Sequence, residues 1–131
     1  MSKINLKICG ITNKASVIRA YENKVKILGF ASNNLDGPNT TNDTNIKKLI
    51  EECNYYKIES VLLTKFYSLE EIIKQIDFTK PKTISCSFHF SKDDLIKIKK
   101  IFKKLRIGIS INPENFNKKY IESIKSIIDV I

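Results

Sequence analysis

Three cysteines, at positions 9, 53 and 86, and one histidine, His89, are the residues best suited to chemistry at neutral pH. A thiol can act as nucleophile or base when nearby cations lower its pKa, and Lys7 lies two residues from Cys9. The cysteine count is odd and no C-x-x-C pair occurs, which argues against both a disulfide scaffold and a zinc site. Cys53 falls on the apolar stripe of a helical segment and reads as core. Cys86 lies inside a strand pattern, where packing is again the leading reading. His89 follows that strand and either faces the mouth of a site or sits at the surface. Cys9 closes the first strand pattern, immediately before Gly10, a residue suited to a tight turn. Spacing alone leaves Cys9 a packing thiol.

The elements that position these residues alternate in period. Apolar alternation over residues 4–11 predicts a strand, and helical spacing of Ala15, Ile18 and Tyr21 predicts a helix over 14–22. A strand over 26–31 precedes a turn-rich loop, 32–42, and a helix over 43–53. Strands are predicted at 59–65, 83–88 and 106–111. Helices follow from Ser68, from Ser91 and over 115–126. Ser68 and Glu71 have capping-box spacing, and Ser91 precedes Asp93 and Asp94 in a first turn. Residues 127–131 read as the start of a sixth strand. Five β-α units in 131 residues form one domain, 1–131, built on a parallel sheet. Two architectures share this pattern: an incomplete (β/α)8 barrel and a flavodoxin-like open sheet.

Composition sets the outer bounds. The chain is 42% hydrophobic and 28% charged, a globular balance. No apolar run approaches the roughly 18 residues of a membrane span, and no leader pattern opens the chain, so a cytoplasmic location is expected. The net charge is +9, yet only Arg19 and Arg106 are arginine. Abundant lysine, isoleucine and asparagine is what AT-rich codons produce. Lysines between 97 and 106 interleave with an apolar stripe and read as a solvated helix face. No stacking platform or recognition motif accompanies them, which argues against a nucleic-acid partner.

The segment Lys7-Ile8-Cys9-Gly10-Ile11-Thr12 resembles the K-I-C-G-I-T signature of phosphoribosylanthranilate isomerases of tryptophan biosynthesis. Weaker marks follow in order: Gly29-Phe30 at the end of the second strand, Gly37-Pro38, Leu62-Leu63-Thr64, and Ile72-Ile73-Lys74-Gln75. The resemblance implies the barrel rather than the open sheet. It implies an Amadori rearrangement of N-(5'-phosphoribosyl)anthranilate, an aldose–ketose isomerisation needing a base and an acid but no metal or cofactor. It also implies Cys9 as the base, with Lys7 and Gly10 as substrate-binding neighbours. Lys7 could equally be a structural charge.

The chain departs from the family pattern at several places. The family's general-acid aspartate ends strand six, whereas Asp129 matches a position at that strand's start. The glycine-rich phosphate loops of strands seven and eight have no counterpart, and 32–41 contains no arginine. Strand four ends Ser85-Cys86-Ser87-Phe88-His89 rather than in a Gln-Leu-His type motif. A truncated isomerase is therefore expected, pairing with a second copy or a complementary barrel fragment around a small phosphorylated substrate. The alternative is a non-catalytic remnant or binding scaffold. A flavodoxin-like regulatory domain ranks last, because strand one lacks the acidic cluster of a phosphorelay receiver.

Overall fold

The computed structural model describes residues 5–65, 68–86, 90–110 and 117–129. Among these residues six strands and five helices follow one another as β1 (Lys7–Ile8), α1 (Lys14–Glu22), β2 (Ile27–Ser32), β3 (Thr40–Thr41), α2 (Asp43–Tyr55), β4 (Glu59–Thr64), α3 (Leu69–Thr79), β5 (Thr83–Cys86), α4 (Lys92–Ile101), β6 (Arg106–Ile109) and α5 (Lys118–Ile124). All strand pairs are parallel, and the sheet runs β1-β2-β4-β5-β6. The short β3 pairs with the end of β2, Ala31 opposite Thr40.

Each helix starts where a short polar side chain takes up a free backbone N–H. Asn13, Asn42, Ser68, Ser91 and Asn117 accept from the residue three further on. Such caps contribute about 1 kcal/mol each. The helices then bury one stripe against one face of the sheet. Leu28, Phe30, Leu62, Ile84, Cys86, Ile107 and Ile109 point into that layer, where they meet Val17, Ile46, Ile50, Ile72, Ile76, Leu95 and Ile98. The strand residues of opposite parity, Gly29, Val61, Thr83, Ser85 and Gly108, face the other way.

Strand order decides between the two architectures. Setting aside the β3 flap, neighbours in the sheet are neighbours in the chain, with no switch point, and the packed core lies on a single face. A doubly wound sheet reverses direction once and carries helices on both faces. The chain is thus an arc of a (β/α)8 barrel, with its helix layer outside and a concave face inside.

Several boundaries differ from the sequence reading. Within the described residues β1 is two residues long, because Gly10 at φ +78° turns the chain out of the ladder. Thr40–Thr41 form a strand inside the expected loop. The fifth helix spans 118–124 rather than 115–126. Residues 127–129 lie in no strand, although the Asp129 N–H donates to the Ile107 carbonyl at 2.7 Å, a first bond against β6.

Candidate active site

Parallel strands place all their C-terminal ends together, and side chains two apart share a face. The register sets Lys7 beside Ile27 and Glu59, and the next row inward carries Gly29, Val61, Thr83 and Arg106. Cys9 extends Lys7 by one pleat, on the concave face. Its Sγ lies over Gly29: a Cβ built there would sit 2.8 Å from the sulfur. Glycine is what lets the thiol settle against the strand. The Ile11 N–H donates to the Gly29 carbonyl at 3.3 Å and holds the segment to β2. Gly10 stands in the left-handed region, and a side chain there would meet Asn39 of the next loop at 3.3 Å. The Cys9 thiol is exposed.

A cavity of about 670 Å³ follows the concave face. Lys7, Glu59, Val61, Thr83, Ser85 and Arg106 contribute to its walls; Cys9 and Gly10 do not. Glu59 accepts from Arg106 Nη1 at 2.9 Å and from Thr83 Oγ1 at 3.2 Å, so the N-terminal end of the arc is charged. Sequence reasoning did not single out Glu59 or Arg106. Each is the first residue of its strand, but only the register makes them partners across 47 residues.

At the C-terminal end lies a second polar group that sequence reasoning missed. Thr64 Oγ1 donates to Gln75 Oε1 at 2.8 Å, and Gln75 Nε2 donates to Ser32 Oγ and Asp43 Oδ1, both at 2.9 Å. Asn34 Nδ2 donates to Thr64 Oγ1 at 2.8 Å, and Asn34 Oδ1 accepts from the Lys65 N–H at 3.1 Å. The network ties the loop after β2 to β4, α2 and α3. Thr64 and Ser32 are buried, and without Gln75 each hydroxyl would keep only its bond from Asn34. Thr64 and Gln75 belong to two of the weak marks noted above, which meet here in one hydrogen bond.

The remaining candidates lie elsewhere. Cys53 and Cys86 are fully buried in the helix-side core, and burial pushes each thiol up to about 12. Both are packing residues, as expected for Cys53, and Cys86 faces the helices. His89 lies outside the described residues. Asp129 accepts from Lys99 Nζ and the Ile107 N–H, both at 2.8 Å. Burial would raise its carboxyl, but these bonds and the charges of Lys99 and Arg106 together hold it below the usual range. It anchors the N-terminal end of β6, away from the strand ends that bear Cys9. Among the described residues no three His, Cys, Asp or Glu side chains could share a metal ion. No helix among them is long and apolar enough to cross a membrane.

No family model matches the sequence, and no curated protein is similar to it. Solved structures do resemble it. The phosphoribosylanthranilate isomerase of Pyrococcus furiosus superposes with a TM-score of 0.77 at 16% identity, over 98% of this chain and 64% of that one. Monomers of the dimeric Thermotoga maritima isomerase give 0.75 at 15%, over 98% and 63%. The chain therefore spans less than two thirds of the length of these relatives. Another such isomerase is held in complex with reduced 1-(o-carboxyphenylamino)-1-deoxyribulose 5-phosphate. Citrate synthase SbnG gives 0.70 at 9% identity, over 95% and 58%. The likeness establishes the barrel fold; two chemistries on that fold mean that the site, not the fold, must argue the reaction.

Proposed function

We propose that this chain is a phosphoribosylanthranilate isomerase-like protein in which Cys9 is the general base. The observation that carries the reading is the exposed Cys9 thiol on the concave face, held over Gly29 by the K-I-C-G-I-T segment. In the reaction the aminoaldose ring opens, and the base removes the proton on C2' to give an enolamine that tautomerises to the ketose. Cys9 takes that proton. Lys7, one pleat deeper on the same face, attracts the anionic groups of a small phosphorylated substrate. Gly10 turns the backbone away so that the thiol stands at the strand's end.

The general acid and the phosphate grip are assigned to a complementary barrel fragment, since a second copy repeats the same residues. Among the described residues β1 and β6 end the sheet, and only Ile107 of β6 is met there, by Asp129. A second copy or a complementary barrel fragment pairing there would close the cavity.

The decisive assay follows loss of phosphoribosylanthranilate fluorescence by this chain across a concentration series and mixed with a complementary C-terminal barrel fragment. Turnover should appear and fall 10²–10⁴-fold in Cys9→Ala, the range of a general base. Equal turnover in Cys9→Ala would remove the thiol from the mechanism. Absence of turnover in every oligomeric state, with failure to rescue a tryptophan auxotroph, would leave the non-catalytic scaffold as the function.

A further inference from the structure

Parallel strands also gather the other set of connections, from each helix to the next strand, at the end opposite Cys9. Four of them, residues 23–26, 56–58, 80–82 and 102–105, hold fourteen residues. Seven are lysine and none is acidic: Lys24 and Lys26, then Lys57, then Lys80 and Lys82, then Lys103 and Lys104. All seven are exposed, and none forms an ion pair among the described residues. The described connections at the other end carry one lysine, Lys65, and one acid, Asp36. A cation beyond a helix C-terminus favours the dipole, but one per helix would meet that need. Codon drift raises lysine everywhere and does not sort it to one end.

The same end displays aromatic rings that the sequence scatters. Tyr21, in the last turn of α1, packs tilted against Tyr56 with centroids 4.7 Å apart, and Tyr55 meets Tyr56 edge-on at 4.9 Å. Tyr55 is 78% exposed and Tyr21 51%. Lys24 and Lys57 flank this cluster in sequence. In the next two connections, Lys80, Lys82, Lys103 and Lys104 surround a cleft of about 470 Å³ with Pro81 and Phe102 in its wall and one acid, Asp77. A row of flexible cations joining an exposed ring cluster to a cleft of mixed lysine and apolar lining is an arrangement suited to single-stranded nucleic acid with little sequence preference: phosphates follow the charges and bases stack on the rings. We propose that this end of the barrel is a binding surface for single-stranded nucleic acid. The absence of a stacking platform argued against such a partner from the sequence; the fold assembles that platform from two helix ends. An acidic protein or an anionic bilayer would answer the lysines but would not depend on stacking against Tyr55.

Fluorescence anisotropy with labelled oligo(U) and oligo(dT) about ten nucleotides long tests this, a length within the site sizes of such surfaces. If about five lysines meet phosphates, affinity falls about a hundredfold between 50 and 200 mM salt. Tyr55→Ala should weaken binding about tenfold while Tyr55→Phe keeps it. Lys80→Gln with Lys82→Gln should make the salt dependence shallower. These residues are exposed, so the variants should retain the wild-type circular dichroism. Comparing oligo(U) with oligo(dT) shows whether RNA or DNA is preferred. Equal affinity for inorganic polyphosphate, unchanged binding by Tyr55→Ala, or binding to phosphatidylserine vesicles without binding to either oligonucleotide would each overturn the proposal.

Discussion

Replacing Gly29 by alanine tests the placement of the Cys9 thiol without any substrate. The new Cβ would sit 2.8 Å from Sγ and 3.3 Å from Cα and Cβ of Cys9. Overpacking of this kind costs about 1–3 kcal/mol, because the sulfur must rotate away and the strand must give. Alanine in place of glycine within a strand recovers about 0.5–1 kcal/mol of backbone entropy. Gly29→Ala alone should therefore destabilise by about 1 kcal/mol net. In a Cys9→Ala background the 2.8 Å contact vanishes and only the 3.3 Å approaches remain. The same substitution should then be close to neutral. The coupling in a double-mutant cycle is about 1 kcal/mol, well above the roughly 0.3–0.5 kcal/mol within which independent sites add. Urea unfolding of the four proteins measures it. If Gly29→Ala costs the same with and without the thiol, Cys9 does not lie over Gly29, and the case for a base at the end of β1 loses its geometric support.

Thiol titration gives a second check: native protein should react with a thiol reagent at Cys9 alone near pH 8, whereas all three cysteines should react in guanidinium, since burial holds Cys53 and Cys86 up to about 12. Two or three fast native thiols would contradict the core placement. Asp129 has its carboxyl held below its unfolded value, so its contribution is present above about pH 4 and is lost as pH falls through the lowered folded pKa. Its side chain is 33% exposed, so solvent screening limits the effect to about 0.5–1 kcal/mol. Asp129→Asn should remove that much stability at pH 7 and flatten the acid limb of a stability–pH curve; an unchanged acid limb would mean the Lys99 and Ile107 bonds contribute nothing.

Much of the protein was legible because it is local. Periodicity placed α1 over 14–22, and Ser68 and Ser91 mark helix starts through hydrogen bonds that span three residues. Parity along one strand also put Lys7 and Cys9 on a common face. Boundaries failed where backbone conformation overrode pattern: residues 4–11 look like one apolar strand, but Gly10 in the left-handed region ends the ladder.

The amino-acid order alone thus determined the alternation of five strands with five helices and the thiol next to a turn, because each depends on neighbours within a few residues. Which strands lie side by side, and which face turns inward, depends on pairings between segments far apart, and an open sheet and a barrel arc satisfy the local pattern equally. Only the tertiary structure decided that Cys9 faces the concave side, that Gln75 reaches Ser32 across 43 residues, and that tyrosines from two helices share one end with seven lysines. Those juxtapositions come from parallel register and one-sided packing, which no short window of sequence contains.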